Sequence, residues 1–128
     1  MRLLLDTHVL LWWLSGDKAL SAAARTAIAD ESNETFVSAA SAWEIAIKYW
    51  QGKLPTAASL AADLDGTIGR HGFSAVPITI RHGDRAAALP LHHKDPFDRM
   101  LIAQALAGSL TLVSNERLFD RYGVARLW

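Results

Sequence analysis

Along the chain, short continuous apolar runs alternate with longer stretches in which apolar positions recur at helical spacing. Runs of the first kind, such as Met1–Leu5, offer no polar face to water and suit strands buried on both sides of a parallel sheet. The pattern predicts strands at Arg2–Asp6, Thr35–Ser38, Ser74–Pro77 and Thr111–Val113, with a weaker signal at Ala125–Leu127. Helices are predicted over His8–Leu14, Ser21–Glu31, Ala42–Gln51, Ala57–Arg70, Ile80–Ala87, Pro96–Ala107 and Glu116–Tyr122. Gly52, Gly72 and Gly108 stand where three of these helices should stop. Strands alternating with helices describe an α/β sandwich.

A length of 128 residues suits one domain, residues 1–128, whose core buries about two thirds of the unfolded surface. No repeat, low-complexity segment or long linker interrupts it. The loosest stretch is Gly83–Lys94, where Pro90, His92 and His93 precede Asp95 and suit a loop beside a site. Half of the residues are apolar, which excludes a disordered composition. Cysteine is absent, so disulfides and thiolate zinc sites are excluded, and any metal must be held by oxygen or imidazole.

Met1-Arg2 followed by Leu3–Leu14 mimics a secretory leader, but Asp6 and His8 interrupt its apolar part. No stretch reaches the roughly 20 apolar residues of a membrane span, so the expectation is a cytoplasmic protein without membrane attachment. Thirteen basic residues balance thirteen acidic ones. Attraction to a polyanion would therefore have to come from a local patch.

Four carboxylates mark turning points of the chain: Asp6 after the first strand, Glu44 in Ser41-Ala42-Trp43-Glu44, Asp98 in Asp95-Pro96-Phe97-Asp98, and Glu116 after the fourth strand. Each has a plain structural explanation. Asp6 can cap the helix that follows, Ser41 and Glu44 match a capping box, and Asp95-Pro96 is a helix start with Asp98 in its first turn. Ser114 can cap the last helix, with Glu116 in its first turn. Their joint placement asks for more. All four fall at the carboxyl edge of a parallel sheet, where open α/β folds place their sites. Serine, threonine or asparagine would cap as well without charge, and clustered acids repel unless a cation is present.

These blocks resemble the PIN-domain ribonucleases, and within them the VapC-type toxins of toxin–antitoxin pairs. The resemblance runs through Leu4-Leu5-Asp6-Thr7-His8, Ser41-Ala42-Trp43-Glu44-Ile45-Ala46-Ile47-Lys48, Asp95-Pro96-Phe97-Asp98-Arg99-Met100-Leu101-Ile102-Ala103 and Leu112-Val113-Ser114-Asn115-Glu116-Arg117-Leu118-Phe119. It implies a three-layer α/β sandwich with a central, mostly parallel sheet flanked by helices. It also implies that Asp6, Glu44 and Asp98 are catalytic acids, with Asp95 an additional acid of the subgroup motif. The family's fourth acid is usually an aspartate two residues after a serine or threonine. Here Ser114-Asn115-Glu116 carries a side chain one methylene longer, which points to contact through water or to a weaker role.

Oxygen ligands with room for water suit magnesium or manganese, as the resemblance also implies. Asp6 and Asp98 are the expected direct ligands of one or two cations. Glu44 either completes the site or accepts the proton of the attacking water. Thr7 and Ser114 could orient these ligands through their hydroxyls, or simply cap helices. Lys48, one turn after Glu44, suits an ion pair with it. Lys94, Arg99, Arg117 and Arg121 flank two acidic blocks and are the candidates for RNA contact, although scattered cations usually form only a solvated face. His8, His92 and His93 lack the helical spacing of a zinc motif and are not assigned as ligands.

Trp43, Ile47 and Trp50 form a helical stripe that suits core packing. Trp12 and Trp13 are adjacent and diverge, so one of them suits a homodimer or antitoxin interface. The functional expectation is a magnesium-dependent endoribonuclease restrained by a cognate antitoxin. One alternative is a noncatalytic module of the same fold that binds RNA or protein. Another is a phosphoacceptor or phosphatase domain using an aspartyl phosphate; His8 stands where the haloacid-dehalogenase pattern needs a second aspartate.

Overall fold

The computed structural model describes residues 1–54 and 63–128. Five strands, β1 (Arg2–Leu5), β2 (Glu34–Ser38), β3 (Ser74–Val76), β4 (Thr111–Val113) and β5 (Arg126–Leu127), form one sheet in the order β3-β2-β1-β4-β5. Every pairing is parallel. The helices are α1 (Thr7–Ser15), α2 (Ala22–Ala29), α3 (Ala39–Trp50), α4 (Leu64–Arg70), α5 (Ile80–Ala88) and α6 (Pro96–Gly108), with a 3-10 helix at Arg117–Tyr122. Among the described residues no helix is long and apolar enough to cross a membrane.

The period of two along a strand splits the apolar residues between two faces. Leu3 and Leu5 of β1 join Val37 and Val113 in one core layer, against Val9 and Leu10 of α1, Ala24 and Ile28 of α2, Ile45 of α3 and Ile68 of α4. Leu4 and Leu112 face the other way, against Leu101, Ile102 and Ala105 of α6 and Phe119 of the 3-10 helix. β1 is therefore buried on both faces, as its unbroken apolar run requires, and the helix–sheet–helix layering follows.

Boundaries moved where two signals competed. α3 begins three residues before the expected Ala42, because Ser38 at the end of β2 caps it by accepting from the Ala40 N–H. Ser41 is then inside the helix, and the expected Ser41–Glu44 capping box is not formed. The expected helix Ala57–Arg70 is seen from Leu64, after an Asp63 cap; the part over 57–62 lies outside the described residues. Gly52 and Gly72 follow α3 and α4 with positive φ, as chain reversals there demand. Gly108 instead ends α6 within the helix, and Ser109 takes the left-handed position at φ 52°.

Candidate active site

β1 and β4 are neighbours, so the residues that follow them emerge side by side at the carboxyl edge of the sheet. Asp6 occupies the cap position of α1, yet its side chain makes no capping bond. It accepts instead from the Ser114 hydroxyl at 2.7 Å, while its own N–H is held by the Val113 carbonyl. Ser114 is fully buried and accepts the Glu116 N–H at 3.0 Å, so its hydroxyl is fixed between two partners. Thr7, also buried, donates to the Ser41 hydroxyl at 2.9 Å and ties the start of α1 to α3.

Glu44 lies one turn beyond Ser41 on the same inward side of α3 and is only 7% exposed. Lys48 sits 3.2 Å from its Oε2, forming the expected i, i+4 pair. Asp98 is in the first turn of α6, behind an Asp95 cap whose Oδ1 accepts from the Phe97 and Asp98 amides at 2.9 and 3.1 Å.

The electrostatics tie three of the acids together. Burial lifts the Asp6 carboxyl above its ordinary range; Ser114, His8 and the Thr7 amide oppose this, and the Glu44 charge adds to it. Burial likewise pushes Asp98 up to about 6, with the His93 bond opposing and the Asp6 and Asp95 charges adding. Asp6, Glu44 and Asp98 thus share one neighbourhood, in which the Glu44 charge acts on Asp6, the Asp6 charge acts on Asp98, and Lys48 pairs with Glu44.

Glu116 is not part of it. The side chain is exposed, and its Oε1 accepts the Leu118 N–H at 3.1 Å as the cap of the 3-10 helix. Among the described residues no three His, Asp or Glu side chains are grouped so as to cage a metal ion. The donors meet a smaller demand. Magnesium binds through one or two carboxylates and keeps several waters, and Asp6 with Asp98, a buried and a half-buried acid whose charges work against each other, would supply that set. The best-formed clefts among the described residues, of about 250 to 490 Å³, are lined by none of these acids.

Two expectations are corrected. Arg99 is not available to a substrate: it is 8% exposed, and its guanidinium donates to the carbonyls of Pro90, His93, Ala86, Ala87 and Leu89. A cation reaching five carbonyls organises the loop before α6, which charge pattern alone could not reveal. Lys94, Arg117 and Arg121 are exposed. The α3 stripe does not enter the core either: Trp43 is 63% and Trp50 84% exposed, and Trp43 meets Phe97 edge-on at 5.4 Å. The inward side of α3 is set by Ser41, Glu44 and Ile45 instead. Trp12 and Trp13 diverge as expected, Trp12 toward Trp128 and Trp13 toward Phe73, both half-buried against the first core layer.

His93 is the residue that sequence reading passed over. Its Nε2 lies 2.6 Å from Asp98 Oδ2. The ring reaches back from the preceding loop across a five-residue separation, outside the i, i+4 spacing used to exclude it; the paired histidines so close to Asp95 were the available signal.

Comparisons with known proteins agree with the fold. A model of the PIN domain matches residues 3–125. The chain is 34% identical over 115 residues to Ribonuclease VapC22 of Mycobacterium tuberculosis, covering 89% of this chain and 86% of that one. Its fold is similar to VapBC2 from Rickettsia felis, solved bound to a promoter DNA fragment, with a TM-score of 0.72 at 16% identity over 98% of this chain and 97% of that one. FitAcB from Neisseria gonorrhoeae is similar at TM-score 0.60 and 19% identity, over 97% and 95%. With the family matched over nearly its whole length and a named ribonuclease at that identity, this chain belongs to the PIN-domain family and to its VapC-type ribonuclease branch.

Proposed function

We propose that this protein is a magnesium- or manganese-dependent endoribonuclease, the toxin of a toxin–antitoxin pair. The observation that carries this reading is a pair of desolvated acids that repel one another: Asp6 and Asp98, delivered by β1 and α6, are both raised by burial, and the Asp6 charge lifts Asp98 further. In this reading Asp6 and Asp98 hold the cation, with Glu44 beside them. A divalent ion held there would supply the charge that offsets negative charge growing at phosphorus and would make the attacking water more acidic. Glu44, held by Lys48, takes one proton of that water as its oxygen bonds to phosphorus. The bond from phosphorus to the 3′ oxygen breaks, and that oxygen takes a proton from solvent, leaving a 3′ hydroxyl and a 5′ phosphate. Ser114 fixes the Asp6 carboxylate, and Asp95 fixes the start of α6. Lys94, Arg117 and Arg121 are the cations available to RNA phosphates.

The similar structures solved as VapBC2 of Rickettsia felis and as a toxin–antitoxin complex from Klebsiella pneumoniae support an antitoxin partner. The exposed Trp43 and Trp50 support a further contact, a homodimer in our reading, because large exposed aromatics mark interface cores.

RNA incubated with the protein should be cut in magnesium or manganese, spared after chelation, and spared by Asp6→Asn and Asp98→Asn variants that still fold. Metal-independent cleavage, or full activity in both variants, would sink the reading. A noncatalytic module is favoured by one observation, the diversion of Glu116 to a cap. Calorimetry separates the two, since such a module would bind no magnesium at this rim.

A further inference from the structure

We propose that His93 is a positioning residue that sets the orientation of the Asp98 carboxylate, and that Arg99 and Tyr122 form the latch that holds His93 in place. The inference rests on the reading of Asp98 as a cation ligand and goes beyond it by assigning how that ligand is aimed.

His93 Nε2 lies 2.6 Å from Asp98 Oδ2, and with the carboxylate ionised this contact requires the tautomer in which Nε2–H donates to Oδ2. Oδ2 is thereby occupied. Among the described residues no side chain or amide bonds Oδ1, so the contact selects which oxygen is left for a cation. Ligating groups work in this way elsewhere: a partner outside the ligand set fixes the ligand's rotation.

Such a role requires that His93 itself be fixed, and three contacts fix it. The His93 N–H donates to the Tyr122 hydroxyl at 2.7 Å, and that hydroxyl donates to the Pro90 carbonyl at 2.8 Å. One phenol thus ties the loop at two points. From the other side the Arg99 guanidinium binds the carbonyls of Leu89, Pro90 and His93 at 2.8, 2.9 and 3.1 Å. The ring packs on buried Phe119, centroids 5.9 Å apart. Arg99 follows Asp98 directly in α6, so one turn of helix presents the ligand while its next residue holds the loop that steers it. Neither a solvated face nor a simple loop anchor needs a histidine nitrogen at the carboxylate.

Manganese titration by calorimetry, with thermal melting as a check on folding, tests this. His93→Phe keeps a ring against Phe119 but removes the donor, and should weaken manganese binding by roughly 10- to 100-fold. His93→Gln, whose amide nitrogen can reach the same oxygen, should recover affinity to within about threefold of the parent. Tyr122→Phe, a single hydroxyl deletion far less prone to unfold the protein, should weaken binding in the same direction by a smaller factor. RNA cleavage lost in His93→Phe should return as manganese is raised to saturation. Parent-like binding in His93→Phe and Tyr122→Phe, alongside loss in Asp98→Asn, would overturn the inference and leave the cation reading standing. Equal loss in His93→Gln and His93→Phe would also overturn it, in favour of packing alone. No manganese binding by the parent protein would overturn both.

Discussion

Two adjacent strand ends use the same local signal in opposite ways. After β1, Asp6 stands at a helix cap, is buried, and makes no side-chain capping bond, its carboxylate turned to Ser114; after β4, Glu116 stands at a helix cap, is exposed, and accepts the Leu118 amide. Ser114 touches both ends, donating to the Asp6 carboxylate and accepting the Glu116 N–H. The difference is one of solvent. A carboxylate at the surface gains a capping bond at little cost, whereas a buried one keeps its ionisation penalty until a cation relieves it. Position after a strand therefore nominates an acid for a site, and burial decides whether it serves there.

The largest effect expected from breaking this contrast is at Asp6. Asp6→Asn keeps an oxygen for Ser114 and removes a desolvated charge, so RNA cleavage should fall by at least about a hundredfold. Its thermal melting should be no lower than the parent's. Ser114→Ala removes the hydroxyl shared by both ends; manganese affinity should drop by about tenfold, since the Asp6 carboxylate loses the donor that orients it. Calorimetry beside a melting curve would show whether one hydroxyl serves both.

Acidity sharpens the contrast next. Asp98 binds its proton up to about 6 when folded, against 3.8 in an unfolded chain. Between those values the folded state holds more protons, so this group makes the metal-free protein lose stability as pH rises from about 4 to about 6, with no further loss above. Added manganese should restore stability on the alkaline side, and its affinity should climb with pH through that window. Denaturant midpoints with and without manganese would check both signs. The smallest effect is at Glu116: Glu116→Ala should cost about 1 kcal/mol, as a lost cap does, and leave manganese affinity within about twofold. A large loss of affinity there would return Glu116 to the site.

Much of this was legible in the chain. β1 and β4 were read almost residue by residue, because strands buried on both faces have no alternative to an unbroken apolar run. The inward acids were nominated by their place after strands and at helix starts. The start of α3 was misjudged because Ser38 and Ser41 both suit a cap, and only the end of β2 shows which one takes it. Arg99 was misjudged because composition records a cation without recording five carbonyls around it. Trp43 and Trp50 read as core since helical spacing defines a stripe and is silent on which stripe turns inward.

By itself the sequence determined the alternation of buried strands and helices, the donor chemistry, and the family motifs that carry Asp6, Glu44 and Asp98. Those are properties of local pattern and residue type. Tertiary structure alone decided which acids lose their water, which cap keeps it, and that His93 meets Asp98 across a loop. Desolvation and hydrogen bonding between distant segments depend on what packs against a group, and one-dimensional spacing does not contain that.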